Sequence, residues 1–260
     1  MVKKMLLLLI FLPHLIMGCA PTTKSTYKDI LPRHAFLKIE KDLTIKGDGK
    51  QHCGDIARYS STASAFIVRN TPHGAYVITA QHVCDISYIK SFVKNIENGT
   101  FHMDFKVIDI DGKKYDVDIV TGNERDDVCL LWVEDLYKQS LSVSPKPPEP
   151  GDRVFNVGAP LGIFQVNMIP IQEGIYNGEY QYAAYYSLPA AGGSSGSPIV
   201  NYKGELVGMV HSVYREFNAV SVSPTYSNLV DFINSKIERH HIRYMIDLYM
   251  RVLVGLKESN

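Results

Sequence analysis

Three short segments of this chain carry residues that together can activate a hydroxyl. Residues 192–198 read Gly192-Gly193-Ser194-Ser195-Gly196-Ser197-Pro198, and the strand-like pair Ile199-Val200 follows. Glycine allows backbone turns that other residues resist. A serine in such a turn is presented with backbone N–H groups beside it, and those amides can face a developing oxyanion. Alone, the run also reads as a flexible loop. Two upstream segments argue otherwise: Val77-Ile78-Thr79-Ala80-Gln81-His82-Val83-Cys84, and Arg125-Asp126-Asp127-Val128-Cys129-Leu130-Leu131-Trp132-Val133. In chain order they supply His82, Asp127 and Ser195. A serine hydroxyl is a poor nucleophile until a base takes its proton, and histidine suits that task near neutral pH. A carboxylate fixes the imidazole tautomer and stabilises the imidazolium.

The elements that must position these groups are short. From about residue 36, apolar runs alternate with turn signals: 65–68, 76–79, 105–110, 117–120 and 128–133. Asp111-Gly112 marks a hairpin. The stretch 142–151 holds four prolines and reads as a linker. Further strand-like runs follow at 153–157, 174–177, 182–186, 198–200, 206–211 and 219–222, with a turn at Lys203-Gly204. Two all-β halves joined by a proline-rich linker fit two small Greek-key barrels. His82 and Asp127 then belong to the first half and Ser195 to the second. The site falls in the cleft between them, a usual place for one.

The three boxes also carry a family resemblance. "TAQHVC" is similar to the TAAHC box of the chymotrypsin-like serine proteases. "DDVCLL" resembles their D-[IL]-A-L-L segment, and "GSSGSP" their G-[DN]-S-G-[GS]-P box. "STASAFIV" (61–68) and "VFNVGAPLG" (154–162) resemble their S-G-F-I-V strand and V-x-x-x-G-x-P-x-G segment. The similarity covers roughly residues 55–225 and is nearest in character to bacterial HtrA-type and glutamyl-endopeptidase members. It implies a serine endopeptidase working through an acyl-enzyme, with peptide or protein substrates and no metal or cofactor. His82 is then the base, Asp127 its orienting acid, and Ser195 the nucleophile, with an oxyanion hole from the N–H groups of Gly193 and Ser195. The base of the primary pocket is expected near Pro189 and Ala190, with a wall at His211, Ser212 and Val213. No acidic residue stands there, which argues against Arg/Lys preference. His211 invites comparison with the pocket histidine of glutamate-selective members, but it comes one position later after its strand. A histidine satisfied by local hydrogen bonds is the other reading. Ser194 stands where zymogens of this type carry an aspartate, so N-terminal activation is not expected.

Each of these residues has a rival. Asp126 competes with Asp127, and the family box favours the one directly before Val128. Gly192 to Gly196 also satisfies G-x-S-x-G, with Ser194 as the nucleophile of an α/β-hydrolase. That fold needs its acid and histidine after the serine, and no long alternation of strands and helices precedes the site. A protease-fold binding protein of the cell envelope without turnover is the alternative function. His52, Cys53, His82 and Cys84 match no common zinc spacing.

Composition sets the remaining bounds. The chain has 260 residues, 45% hydrophobic, with 27 basic and 27 acidic residues. That is enough for a buried core of one or two small domains. No basic block points to nucleic acid. Lys3 and Lys4 precede an apolar run over 6–16 that is too short to favour a spanning helix, so residues 1–18 read as a signal peptide. Leu15-Ile16-Met17-Gly18-Cys19 resembles a bacterial lipobox, which implies a lipid anchor on Cys19 and an envelope location. Ala20 after the cysteine implies the outer membrane, facing the periplasm. Residues 19–35 form a polar tether, 36–225 the protease domain (barrels at about 36–140 and 151–225, linker 141–150), and 226–260 a helical segment.

Export makes a disulfide possible, and the resemblance implies Cys53–Cys84, with Cys129 a buried thiol. Over 226–256, apolar residues recur at helical spacing. One or two helices are expected to pack on the second barrel, with a partner- or membrane-contacting helix as the other reading. No segment of PDZ size follows the protease region.

Overall fold

A computed structural model describes residues 33–46, 55–87, 100–214 and 217–258. The signal, lipobox and most of the tether, including Cys19, lie outside the described residues, as does Cys53. The described chain is mostly antiparallel strand, arranged in two curled sheets of seven strands each.

The first sheet holds β1 (Phe36–Lys46), β2 (Asp55–Thr71), β3 (Gly74–Thr79), β4 (Thr100–Ile108), β5 (Lys114–Asp116), β6 (Asp118–Asn123) and β7 (Val128–Glu134). Their order is β5-β4-β1-β2-β3-β7-β6. The expected hairpin at Asp111-Gly112 joins β4 to β5: Gly112 takes φ +86, and its N–H donates to Asp109 O at 2.9 Å. A short helix, α1 (Gln81–Cys84), follows β3 directly. The second sheet holds β8 (Arg153–Val157), β9 (Ile171–Tyr180), β10 (Ala183–Ser187), β11 (Ser197–Asn201), β12 (Leu206–Val210), β13 (Ser212–Tyr214) and β14 (Phe217–Pro224). Their order is β12-β11-β8-β9-β10-β14-β13. A 3₁₀ turn, Pro160–Gly162, lies between β8 and β9.

The proline-rich linker is pinned at both ends. Leu141 N–H donates to Ile67 O in β2, while Ser144 N–H and Leu206 N–H pair with Leu206 O and Ser142 O across to β12. These backbone bonds tie the linker to both sheets.

Strands β3 and β7 are buried along nearly their whole length. One face of each lines the first barrel. The long helix α2 (Tyr226–Glu258) packs against β7 and meets β3 where His240 approaches Tyr76. Thr225 caps α2: its hydroxyl accepts from Asn228 N–H at 3.3 Å. Leu229, Phe232, Ile233 and Ile237 are buried on one helical face, and such side chains each contribute about 1.5–3 kcal/mol. That face packs on β7 of the first sheet as well as β12 of the second. The helix thus meets the second barrel, where it was expected, and as one continuous element it meets the first as well. His240 lies where α2 passes the first sheet. Its Nδ1 lies 3.0 Å from the Tyr76 hydroxyl, and its ring lies 6.3 Å from that of Trp132. No described helix is long and apolar enough to cross a membrane.

The disulfide also differs from expectation. Cys84 is bonded to Cys129, not to Cys53, and Cys129 is not a free thiol. The reason is register. Thr79 pairs with Cys129 across β3 and β7. The turn of α1 then folds Cys84 back over that pair, with the two Cα atoms 6.6 Å apart. The bond ties the segment after His82 to the strand after Asp127.

Candidate active site

Asp127 ends the turn before β7 with a positive φ of 51°. Few residues other than glycine, asparagine and aspartate occupy that region. The conformation aims its carboxylate at α1. Oδ2 lies 2.8 Å from His82 Nδ1, and Oδ1 accepts the His82 backbone N–H at 2.8 Å. The Asp127 carbonyl also accepts the Gln81 N–H at 3.1 Å. With Oδ2 on Nδ1, the favoured tautomer puts the proton on Nδ1 and leaves Nε2 free to accept one. The His82 side chain is 51% exposed, so the ring is reachable from the cleft. Asp126 turns away: its carboxylate accepts from Asn123 Nδ2 at 2.6 Å and from Asn228 Nδ2 at 2.8 Å. A groove of about 520 Å³ behind this turn is lined by those amides, Asp231 and Lys236, and it lies on the α2 side of Asp126.

Across the cleft, the serine run forms a tight loop ahead of β11. Ser194 is buried, and its Oγ accepts the Ala191 N–H at 3.3 Å, so this hydroxyl braces the loop from inside. Ser195 is partly exposed, and its Oγ lies 3.5 Å from the His211 carbonyl oxygen. Two glycines make the turn possible. Gly196 takes φ +83, and a Cβ there would sit 2.1 Å from Ser64 O and 2.3 Å from Thr79 Oγ1. The loop thus packs against the end of β3, three residues before His82. Gly193 takes φ +96, and a Cβ there would sit 2.4 Å from Ala159 O.

The 3₁₀ turn fixes the next peptide. Leu161 N–H donates to Gly192 O at 2.6 Å. In a trans peptide the N–H points opposite to the C=O. Anchoring the Gly192 carbonyl therefore directs the Gly193 N–H to the other side. Among the described residues, neither the Gly193 nor the Ser195 N–H donates a hydrogen bond.

Ser64 in β2 joins the two halves. Its N–H donates to Ser195 O at 2.8 Å, its Oγ donates to Gly193 O at 2.8 Å, and the same Oγ accepts the Ala159 N–H at 3.1 Å. Thr79 Oγ1 in turn donates to Ser64 O at 2.8 Å. Sequence reasoning placed Ser64 only as part of a strand motif. The signal for more was a serine in the middle of an otherwise apolar run.

Of the expected pocket residues, Ala190 and Val213 belong to the apolar cluster with Leu188 and Val210, while Pro189 and Ser212 are exposed. His211 is different. Its ring is turned to Asp127, with Nδ1 3.5 Å from Oδ2, and its side chain is 18% exposed. Burial lowers its pKa below the ordinary histidine value; Asp127 opposes that shift and His82 adds to it.

The comparisons with known proteins bear on the family and the fold. The trypsin-like peptidase domain family matches over residues 63–209, a span that includes His82, Asp127 and Ser195. Among solved structures, the chain is similar to the crystal structure of the serine endoprotease from Yersinia pestis. The TM-score is 0.60 at 16% identity, covering 82% of this chain and 67% of that one. No curated protein sequence gave a match. At that identity the structural likeness speaks for the two-barrel fold, while the family match spans more than half of the chain. The chain belongs to the trypsin-like peptidase domain family.

Proposed function

We propose that this chain is a serine endopeptidase using His82, Asp127 and Ser195 through an acyl-enzyme. The observation that carries the reading is the double hold of Asp127 on His82, through both the ring Nδ1 and the backbone N–H. In the proposed reaction, His82 Nε2 takes the Ser195 hydroxyl proton as Oγ bonds to the substrate carbonyl carbon. The carbonyl oxygen gains charge and is met by the Gly193 and Ser195 N–H groups. Each such donor typically contributes about 3–4 kcal/mol to the transition state. The C–N bond then breaks as His82 passes its proton to the leaving amine. Water repeats the sequence on the acyl-enzyme and restores Ser195. Asp127 keeps the proton on Nδ1 throughout and stabilises the imidazolium.

The neutral side chains of Pro189, Ala190, Ser212 and Val213 are proposed to frame the primary pocket, and none of these four offers a carboxylate to a basic residue. The test of the whole reading is hydrolysis of an unstructured protein by the purified chain and by Ser195→Ala. Equal turnover in the two would remove Ser195 from the mechanism.

We also infer an envelope location through a lipid on Cys19, supported by the Leu15–Cys19 motif and the short apolar run before it. Mass spectrometry of membrane-extracted protein should find acyl chains on Cys19 that are lost in Cys19→Ala. An unacylated wild type contradicts the anchor.

A further inference from the structure

The outward face of α2 changes character halfway along the helix. Leu229, Phe232, Ile233 and Ile237 point into the fold. Asp231, Ser235 and Glu238 are exposed on the opposite face, as expected of a helix lying on a globular domain. The same stripe continues at helical spacing as Ile242, Met245, Ile246 and Tyr249, each between 47% and 63% exposed. Ile246 follows Ile237 by about two and a half turns, so the two side chains leave opposite sides of the helix. The helix is held in place up to this stripe: the Tyr244 ring lies 5.5 Å from that of Trp132 and 5.9 Å from that of His73. Large apolar groups clustered on one exposed face mark a contact surface, whereas scattered ones do not.

Cations flank that stripe. Lys236, Arg239 and Arg243 recur along one flank of α2 and, with His240 and with Val120 and Thr121 of β6, line a cavity of about 200 Å³. No carboxylate lines it. The charged groups acting on His240 there are Arg243 and His241, which disfavour its proton, and Asp118 of β6, which favours it. Among the described residues, neither Arg239 nor Arg243 forms an ion pair. The whole chain carries 27 basic and 27 acidic residues, so any attraction to an anionic partner comes from such a local patch. An apolar stripe beside unneutralised cations is complementary to a surface that is hydrocarbon beneath a layer of anionic phosphate.

We propose that the second half of α2 is a membrane-docking face: Ile242, Met245, Ile246 and Tyr249 enter the headgroup layer of an anionic phospholipid surface, while Lys236, Arg239 and Arg243 take its phosphates. The helix lies along the surface, and no described helix is long and apolar enough to cross one. A guanidinium suits this task because its planar fork pairs with two phosphate oxygens at once. The inference draws on neither the peptidase reading nor the lipid on Cys19. Where that lipid is present, the two contacts together set how the barrels face the membrane.

The experiment measures binding of the full chain carrying Cys19→Ala, the parent, to sedimenting vesicles of phosphatidylcholine alone or mixed with phosphatidylglycerol. Residues 1–18 are the same in every variant, so differences between variants report α2. The partition coefficient on mixed vesicles should fall about thirtyfold in Arg239→Gln/Arg243→Gln, while on phosphatidylcholine alone that variant should match the parent. In Ile242→Ser/Ile246→Ser it should fall at least about tenfold on mixed vesicles. Amide hydrogen exchange over residues 240–250 should slow on mixed vesicles in the parent and not in either variant. Trp132 is the sole tryptophan and packs against Tyr244, so its unchanged emission in buffer shows that α2 is seated in each variant. Equal partitioning of the parent and both variants overturns the proposal, as does a parent whose binding ignores phosphatidylglycerol. A parent that is dimeric in sedimentation velocity, becomes monomeric in Ile242→Ser/Ile246→Ser and binds no vesicle also overturns it, in favour of a second copy on that face.

Discussion

Asp127 grips His82 at two points, with Oδ2 2.8 Å from Nδ1 and Oδ1 2.8 Å from the backbone N–H. The second contact matters as much as the first for geometry. It fixes the carboxylate plane relative to α1, so the ring bond is set by the backbone and not by side-chain torsions alone.

Replacing Asp127 by Asn separates orientation from charge. The amide oxygen can still accept the His82 N–H, but the NH₂ group then faces Nδ1 and selects the wrong tautomer. For such an inversion kcat falls ~10⁴-fold with the fold intact. Steady-state kinetics and a thermal melt of Asp127→Asn measure both. A loss of less than about tenfold would mean that the tautomer argument is wrong here.

The Cys84–Cys129 bond closes a loop with a sequence separation of 45 and flanks both His82 and Asp127. Disulfides of this kind stabilise by about 2–4 kcal/mol. The double variant Cys84→Ala/Cys129→Ala should lose about that much in urea unfolding, and reduction of the wild type should reproduce it. Unchanged stability after confirmed loss of the bond contradicts the pairing.

Gly193 is held at φ +96 with its Cβ direction blocked 2.4 Å away by Ala159 O. Gly193→Ala must move the peptide that carries the proposed oxyanion donor, and removal of one such donor costs ~10²–10³ in kcat. Kinetics on a small ester should show the fall in kcat and not in KM. A variant with full kcat would place the oxyanion elsewhere.

Ser64→Ala removes the hydroxyl that donates to Gly193 O and accepts from Ala159 N–H. A buried group left unpaired costs about 1–3 kcal/mol. The expected result is a lower unfolding free energy by that amount together with reduced kcat, since the same hydroxyl braces the serine loop from the other barrel. Full activity at reduced stability would limit Ser64 to a structural role.

His240 gives a pH signature remote from the site. Burial lowers its pKa below the ordinary histidine value, and Arg243 and His241 act in the same direction while Asp118 opposes them. The unfolded chain therefore binds this proton at higher pH than the folded one. Its contribution is fully present above 6.5 and is lost as pH falls through the lower folded value. In His240→Gln the decline of melting temperature between neutral and mildly acidic pH should be shallower than in wild type. An identical decline would show that the proton is not taken up there.

Much of the site was legible because its chemistry sits in short contiguous boxes. The pairing of His82 with Asp127 follows from a few neighbours of each, and Asp127 was separable from Asp126 because it stands next to Val128 at the start of β7. The two-barrel fold followed from alternating runs and turn residues such as Gly112 and Gly204. What escaped depends on residues far apart in sequence. Cys84–Cys129 requires the pairing of Thr79 with Cys129. The triple role of Ser64 requires β2 to meet the serine loop. The direction of the His211 ring depends on where the end of β12 in the second sheet meets the turn before β7 in the first, and the bridging of both sheets by α2 depends on which helical face meets β7.

The most direct test of the central claim is covalent labelling with a serine-directed phosphonate, located by tandem mass spectrometry. The predicted result is one adduct per chain, on Ser195, absent from Ser195→Ala and strongly slowed in His82→Ala. An adduct on Ser194, or labelling that persists unchanged in Ser195→Ala, would contradict the assignment of the nucleophile.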